Sequence, residues 1–250
     1  MPGDAFVTLL TNDGFSPGAE ALLFSLRKTT TKATLVVLVT PEVSARVRRV
    51  LGRAADSVVD VLPISNPHAT HVAGWADAGF TKLRIWQQTQ FDRIVYVDAD
   101  AVVVDNIDEL FALDVAFAAA PDVFPPDKFN AGVLVIKPCL ETFARLEAAI
   151  PLLPSHDGGD TGFLNSFFPD WFASPASCRL AFGYNAQRTL HWFTHSSNPG
   201  YWDSISPLKV VHFSSSPKPW DAPGKKGPLE LLWWDTFMQA QGAPALSGYL

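Results

Sequence analysis

Asp98-Ala99-Asp100 and His212 are the residues of this chain whose types and spacing best suit a bound cation. In an extended segment, residues two apart share a face about 6.5 Å apart, so Asp98 and Asp100 can aim both carboxylates at one ion while Ala99 points away. Paired hard oxygen ligands suit Mg²⁺ or Mn²⁺, and an imidazole beside them shifts the preference to Mn²⁺. A pyrophosphate would fill the remaining positions, and the ion would neutralise charge on a departing diphosphate. A bare Asp-x-Asp also occurs in ordinary turns. Here the pair follows the apolar run 93–97, where two uncompensated like charges would be costly without a cation between them. His212 ends Lys209-Val-Val-His-Phe213, and a lone strand histidine is more often a satisfied core residue than a ligand.

Other side chains carry two readings each. Lys218, in Lys218-Pro219-Trp220, suits a phosphate near such a metal, or is a solvated surface charge; Lys82 has the same choice on its helix. Asp160, after Gly158-Gly159, reads equally as a helix cap or as a sugar contact, and so does Asp157. The pairs His68/His71 and His191/His195 have no carboxylate or cysteine partner nearby, so no zinc site is expected there. Trp192, Trp202 and Trp220 are candidates to stack on a sugar face, whereas Trp233 and Trp234 read as packing.

The elements that must position these groups alternate. Residues 5–10 form a strand, and Ser16 caps a helix with Pro17 in its first turn that runs to about Lys28. A strand at 34–39 leads to a helix capped by Thr40-Pro41 and carrying Val43, Val47, Val50 and Leu51. Further strands are expected at 58–64, 93–97, 116–120, 132–136 and 208–213, with helices at 80–90 and 160–168. Residues 151–156, 196–207 and 214–228 read as loops over a site. This pattern predicts one α/β domain with a largely parallel sheet covered on both faces, and ligands beyond the carboxyl ends of its strands.

A chain of 250 residues with 48% hydrophobic and 18% charged residues can bury a sizeable core. Its formal charge of −6 argues against nucleic acid or an anionic membrane as partner. No apolar run reaches membrane-spanning length, and the apolar start reads as a strand and not a signal peptide. Two cysteines give no disulfide framework, so a cytoplasmic location is expected.

Taken together, these blocks resemble the glycogenin-like members of glycosyltransferase family 8. They include 6–13, Thr81-Lys82-Leu83, Val97-Asp-Ala-Asp100, 106–111, Phe129-Asn-Ala-Gly-Val133, Asp157-Gly-Gly-Asp-Thr-Gly162, Val211-His-Phe213 and Lys218-Pro-Trp220. The resemblance implies a GT-A fold with a Rossmann-like sheet over 1–250, its nucleotide-binding half at 1–100 and its acceptor and metal half at 101–250. It implies that Asp98, Asp100 and His212 hold Mn²⁺, with Mg²⁺ as the alternative. Leu9, Thr11, Asn12 and Phe15 would border the uridine of a UDP-hexose, and Lys82 and Lys218 would meet its diphosphate. Asn130, Asp157 and Asp160 would face the hexose and the acceptor as the catalytic group, and Ala99, Thr161 and Ser215 complete the donor set.

Transfer with retention of configuration to a glycan or glycoprotein acceptor is the activity this implies, in a homodimer. Glycogenin carries Gln at the position of Thr161, Gly at Ser215 and Tyr at Phe15, and its self-glucosylated tyrosine falls in a stretch corresponding to 187–197, which here has none. That departure, with a chain ending at Leu250, resembles the short glycogenin-like α-galactosyltransferases of protists and favours galactose over glucose. The rivals are a self-glucosylating primer using Tyr184 or Tyr201, and a UDP-sugar-binding module without catalysis. An aspartyl-phosphate phosphatase would place its Asp-x-Asp on the first strand, which a pair near residue 100 does not satisfy.

Overall fold

The computed structural model describes residues 3–68, 79–221 and 227–245. His71 lies outside them. The principal sheet has six strands in the order β3-β2-β1-β4-β7-β6. β1 (Gly3–Leu10), β2 (Thr34–Val39), β3 (Ser57–Asp60) and β4 (Phe91–Val97) pair in parallel. β7 (Phe129–Ile136) then runs antiparallel to both β4 and β6 (Phe117–Pro121), so the parallel half is the amino-terminal one. A second sheet of three strands joins β5 (Ala101–Val103), β9 (Val210–His212) and β8 (Ala186–Gln187) in the order β5-β9-β8.

Alternation along the strands explains the two-sided core. Phe6, Leu10, Val95, Val97, Val133 and Val135 pack with Leu22, Leu26, Val47 and Leu51 on one face. These last residues come from α1 (Ser16–Lys28) and α2 (Ala45–Ala54). The intervening Ala5, Val7, Ile94, Tyr96 and Leu134 turn to the other face, against Phe143 and Leu146 of α3 (Leu140–Ala149) and Phe163 and Leu164 of α4 (Asp160–Phe167). The remaining helices are α5 (Arg188–Thr194), α6 (Gly200–Asp203) and α7 (Pro228–Ala240). α7 covers the second sheet through Leu229 and Trp233. No helix of the described residues is long and apolar enough to cross a membrane.

Several local expectations need correction. Ser16 is the first helical residue and Phe15 takes the cap position, while the Ser16 hydroxyl donates to Glu20 Oε1 at 2.9 Å. α2 is capped by Ser44, whose Oγ accepts the Val47 N–H at 3.3 Å; Thr40 instead donates to the Thr11 carbonyl at 3.0 Å, tying the ends of β1 and β2 together. The third strand stops at Asp60 and the segment Gly79–Gln87 is a 3-10 helix. α3 and α7 were not expected, and α6 interrupts the loop expected over 196–207.

Candidate functional site

The site begins where β1 and β4 end. Asp98-Ala99-Asp100 does not continue the extended strand: the Ala101 N–H bonds back to the Asp98 carbonyl at 3.1 Å, making a turn between β4 and β5. Two neighbours pin this turn, since the Asp98 N–H donates to Gly132 O at 2.8 Å and the Phe213 N–H donates to Asp100 O at 2.9 Å. The shared orientation expected from strand pleating is therefore supplied by a tight turn. Both carboxylates still converge, standing 3.8 Å (Asp98 Oδ2) and 3.2 Å (Asp100 Oδ1) from His212 Nε2.

Hydrogen bonds anchor the His212 ring through Nδ1. The Gly132 N–H donates to Asn130 Oδ1 at 2.9 Å, and Asn185 Nδ2 donates to the same oxygen at 3.0 Å. That leaves Asn185 Oδ1, 2.8 Å from His212 Nδ1, as an acceptor. Nδ1 is thus a donor, and Nε2 faces the two carboxylates, placed to turn its lone pair to a cation bound between them, as an anchored histidine ligand does. Ligand atoms of Asp98, Asp100 and His212 all lie within 4.8 Å of one another. Adjacent oxygens or nitrogens around a Mn²⁺- or Mg²⁺-sized ion, at about 2.1 Å from it, are about 3 Å apart, so the donor set fits such an ion with little movement. This is the one such group among the described residues; His191 and His195 stack on each other at 4.1 Å without a carboxylate ligand.

Two ammonium groups, Lys82 buried and Lys218 half-buried, hold the carboxylates. Lys82 Nζ lies 3.0 Å from Asp98 Oδ1 and 2.5 Å from Asp160 Oδ2, and donates to the Ala131 carbonyl at 3.0 Å. Lys218 Nζ lies 2.5 Å from Asp100 Oδ2 and donates to Phe213 O at 2.9 Å. Burial works against the Lys82 charge, but Asp160 and Asp98 outweigh it and raise its pKa well above the usual lysine value. Burial also opposes charge on Asp100, yet Lys218 and His212 hold its carboxyl well below the usual range. At Asp160 burial wins: its carboxyl is pushed up, Asp98 adding to the effect while Lys82 counters it. The Tyr96 hydroxyl donates to Asp98 Oδ1 at 2.6 Å, and burial with the adjacent Asp98 charge raises its pKa well above the usual phenol value.

A cavity of about 160 Å³ opens over these groups. Of the residues named as site candidates, Leu9, Thr11, Phe15, Lys82, Asp98, Ala99, Asp100, Asn130, Asp160, Thr161, His212 and Lys218 line it. Asn12, Asp157 and Ser215 do not. Asn12 Oδ1 accepts the Gly14 N–H at 2.9 Å in a local turn. Asp157 Oδ1 accepts from Ser155 Oγ, Gly159 N and Gly162 N, so this side chain shapes the turn that presents Asp160. The Ser215 hydroxyl accepts from Arg188 at 3.0 Å. Of the tryptophans proposed for stacking none lines the cavity; Trp220 packs between Phe15 and Trp233, and Trp202 is buried against His191. Asn66, Tyr96 and Asn185 were missed by sequence reasoning. Tyr96 was hidden inside an apolar strand, and nothing in the spacing links Asn185 to a histidine so far along the chain.

Residues 6–224 match the family model described as Glycosyl transferase family 8. Mouse Glycogenin-1 is 36% identical over 257 residues, covering 95% of this chain and 76% of its own length. Human Glycogenin-2 is 41% identical over 221 residues, covering 87% of this chain but only 43% of its own length. Among solved structures, the apo form of the glycosyltransferase GlyE from Streptococcus pneumoniae TIGR4 superposes with a TM-score of 0.69 at 21% identity, over 98% of this chain and 66% of that one. The galactosyltransferase LgtC, in complex with donor and acceptor sugar analogs, gives 0.66 at 18% identity over 95% of both chains.

Proposed function

This chain belongs to glycosyltransferase family 8 and has the GT-A fold, and from that premise we propose that it moves a hexose from a UDP-sugar to a glycan acceptor with retention of configuration. The observation that carries the proposal is the convergence of Asp98 and Asp100, from the β4–β5 turn, on Nε2 of His212, from β9. A bound Mn²⁺ would supply Lewis-acid neutralisation of the charge that develops on the diphosphate.

The chain's own groups divide the remaining work. Leu9, Thr11 and Phe15, at and beyond the carboxyl end of β1, form the wall for a uridine. Lys82 and Lys218 are cations already aimed into the cavity, within reach of a diphosphate that enters beside Asp98 and Asp100. Asn130, Asp160 and Thr161 border the space left for the hexose. Asp157 supports them by fixing the turn before Asp160. The segment 187–197 lacks a tyrosine acceptor of the self-glucosylating kind, which argues for a separate acceptor, and galactose is favoured over glucose by the resemblance to short glycogenin-like α-galactosyltransferases. Free Cys139 and Cys178 suit a reducing compartment, so a glycan on a cytoplasmic protein is the proposed acceptor, met by a homodimer.

A panel of UDP-sugars assayed for slow hydrolysis, with and without Mn²⁺, tests this without an acceptor. Release of UDP is expected from one hexose donor and only with the divalent ion. Asp98→Asn and Asp100→Asn are each expected to lower it at least about 100-fold, as when one charge-stabilising group is lost. Metal-independent release, or undiminished release by either variant, would overturn the proposal.

A further inference from the structure

Arg188, the first residue of α5, is 1% exposed, a degree of burial that arginine tolerates only with its charge paired; both terminal nitrogens are bonded and Nε alone is not. Its Nη1 donates to Glu230 Oε1 at 3.0 Å, and the other oxygen of Glu230 accepts the Gly227 N–H at 3.0 Å before α7. The flat guanidinium lies over the Trp192 ring at 3.9 Å and over the Phe213 ring at 5.4 Å. Its Nη2 serves acceptors in one short turn: Ser215 O at 2.7 Å, Ser215 Oγ at 3.0 Å and Pro217 O at 2.8 Å.

That turn leaves β9 directly after His212 and ends at Lys218. It is therefore held between two cations, with Arg188 behind it and the Lys218 ammonium in front, bonded to Phe213 O and Asp100 Oδ2. Ser215 is half-buried and Ser216 and Pro217 are exposed, but the Ser215 and Pro217 carbonyls turn inward to one buried guanidinium, which provides their donors. Removing it would leave Ser215 O and Pro217 O short of a partner, and the cheapest remedy is for the turn to move toward water. Lys218 would move with it.

We propose that Arg188 is a positioning residue for the donor diphosphate: by gripping Ser215 and Pro217 it fixes the turn that carries Lys218 into the cavity. This rests on the donor reading given above. A fork of planar donors is what the contacts require, so a lysine, a single point charge on a flexible stem, does not substitute. Ser215 accordingly acts through its bonds to Arg188, which accounts for its absence from the cavity wall.

The test compares wild type with Arg188→Met, Arg188→Lys, Lys218→Met and the Arg188→Met/Lys218→Met double variant. Each is titrated with UDP and with uridine in the presence of Mn²⁺, below its own Tm. Arg188→Met and Lys218→Met are each expected to weaken UDP binding about tenfold, the effect of one charge-assisted contact, with the double variant no weaker than either single one and uridine binding unchanged throughout. A general structural role predicts otherwise. Equal weakening of uridine and UDP, multiplication of the two single effects in the double variant, or wild-type UDP affinity in Arg188→Met would each overturn the inference. Should Arg188→Met fail to fold, Arg188→Lys carries the same expectations. A wild-type protein that binds uridine but gains nothing from the diphosphate, or binds neither, overturns the donor reading itself and this inference with it.

Discussion

Asp160 is held in two ways that pull against each other. It opens α4, where the helix amino terminus favours a negative charge, and it pairs with Lys82; burial raises its pKa all the same. A carboxylate with that balance, lining the cavity and bordering the space proposed for the hexose, is suited to stabilising positive charge or passing a proton as the glycosidic bond breaks. Asp160→Asn keeps the size and a hydrogen-bonding group but removes the charge. It is expected to lower the rate of donor hydrolysis about 100-fold while changing UDP affinity less than about threefold, because the groups proposed to bind UDP are Lys82, Lys218, Phe15 and the Asp98/Asp100/His212 set, and Lys82 keeps Asp98 as its partner. Single-turnover rates and calorimetric UDP titrations would check this, and a larger change in affinity than in rate would reassign Asp160 to structure. The same logic separates Asp157, whose Oδ1 is committed to three donors of its own turn.

Strand ends in this protein are secured by side chains from neighbouring elements. Asp56, after α2, accepts the Leu35 N–H at 2.8 Å and pairs with Arg27 of α1 at 2.6 Å, so it joins the start of β2 to two helices. Burial opposes its charge, but Arg27 and the Leu35 N–H prevail and lower its pKa. A carboxyl lowered on folding contributes stability that is fully present above its unfolded value, about 3.9, and is lost as pH falls through the folded value. Asp56→Asn is therefore expected to have a lower Tm than wild type at pH 7, with the gap closing as pH falls below about 4. Thermal melts of both proteins across that range measure it, and a gap independent of pH would refute it.

The spans of β2 and α4 were legible from local chemistry, the first from a run of Val and Leu and the second from Gly158-Gly159 before Asp160. α7 was not, because Leu229, Leu231, Leu232, Trp233, Trp234 and Phe237 make it apolar on too many sides to show a stripe. In α3 the buried set is only Phe143 and Leu146, too sparse to show a period. The cap of α2 was misread because Thr40 and Ser44 are both competent cap residues, and only the pairing of Thr40 with Thr11 across two strands removes one of them.

The metal-ligand group depends on how closely the two sheets approach. Gly132 of β7 faces the His212 ring of β9, and a methyl group there would overlap the ring and reach Asn185 Oδ1 at 2.9 Å. Gly132→Ala is thus expected to displace His212 and weaken Mn²⁺ binding about tenfold or more, by misplacing one ligand and its anchor, while the fold survives. Manganese titration followed by electron paramagnetic resonance, with circular dichroism as the control for folding, would show it; unchanged affinity would mean that the sheets separate freely. Lys218 to Asp100 spans 118 positions, Arg188 to Glu230 spans 42 and His212 to Asn185 spans 27.

Those separations mark the boundary between what the residues alone determined and what the folded chain decided. Strand composition, cap chemistry and the Asp-x-Asp pair act over a few residues, so the α/β order and the Asp98/Asp100 candidates could be read directly, and motif resemblance added His212, Lys82 and Lys218. Which nitrogen of His212 faces the carboxylates, which side chains face the cavity, and what grips the turn bearing Lys218 depend on contacts across sheets and helices. Such contacts form only when distant segments pack, and no periodicity along the chain encodes them.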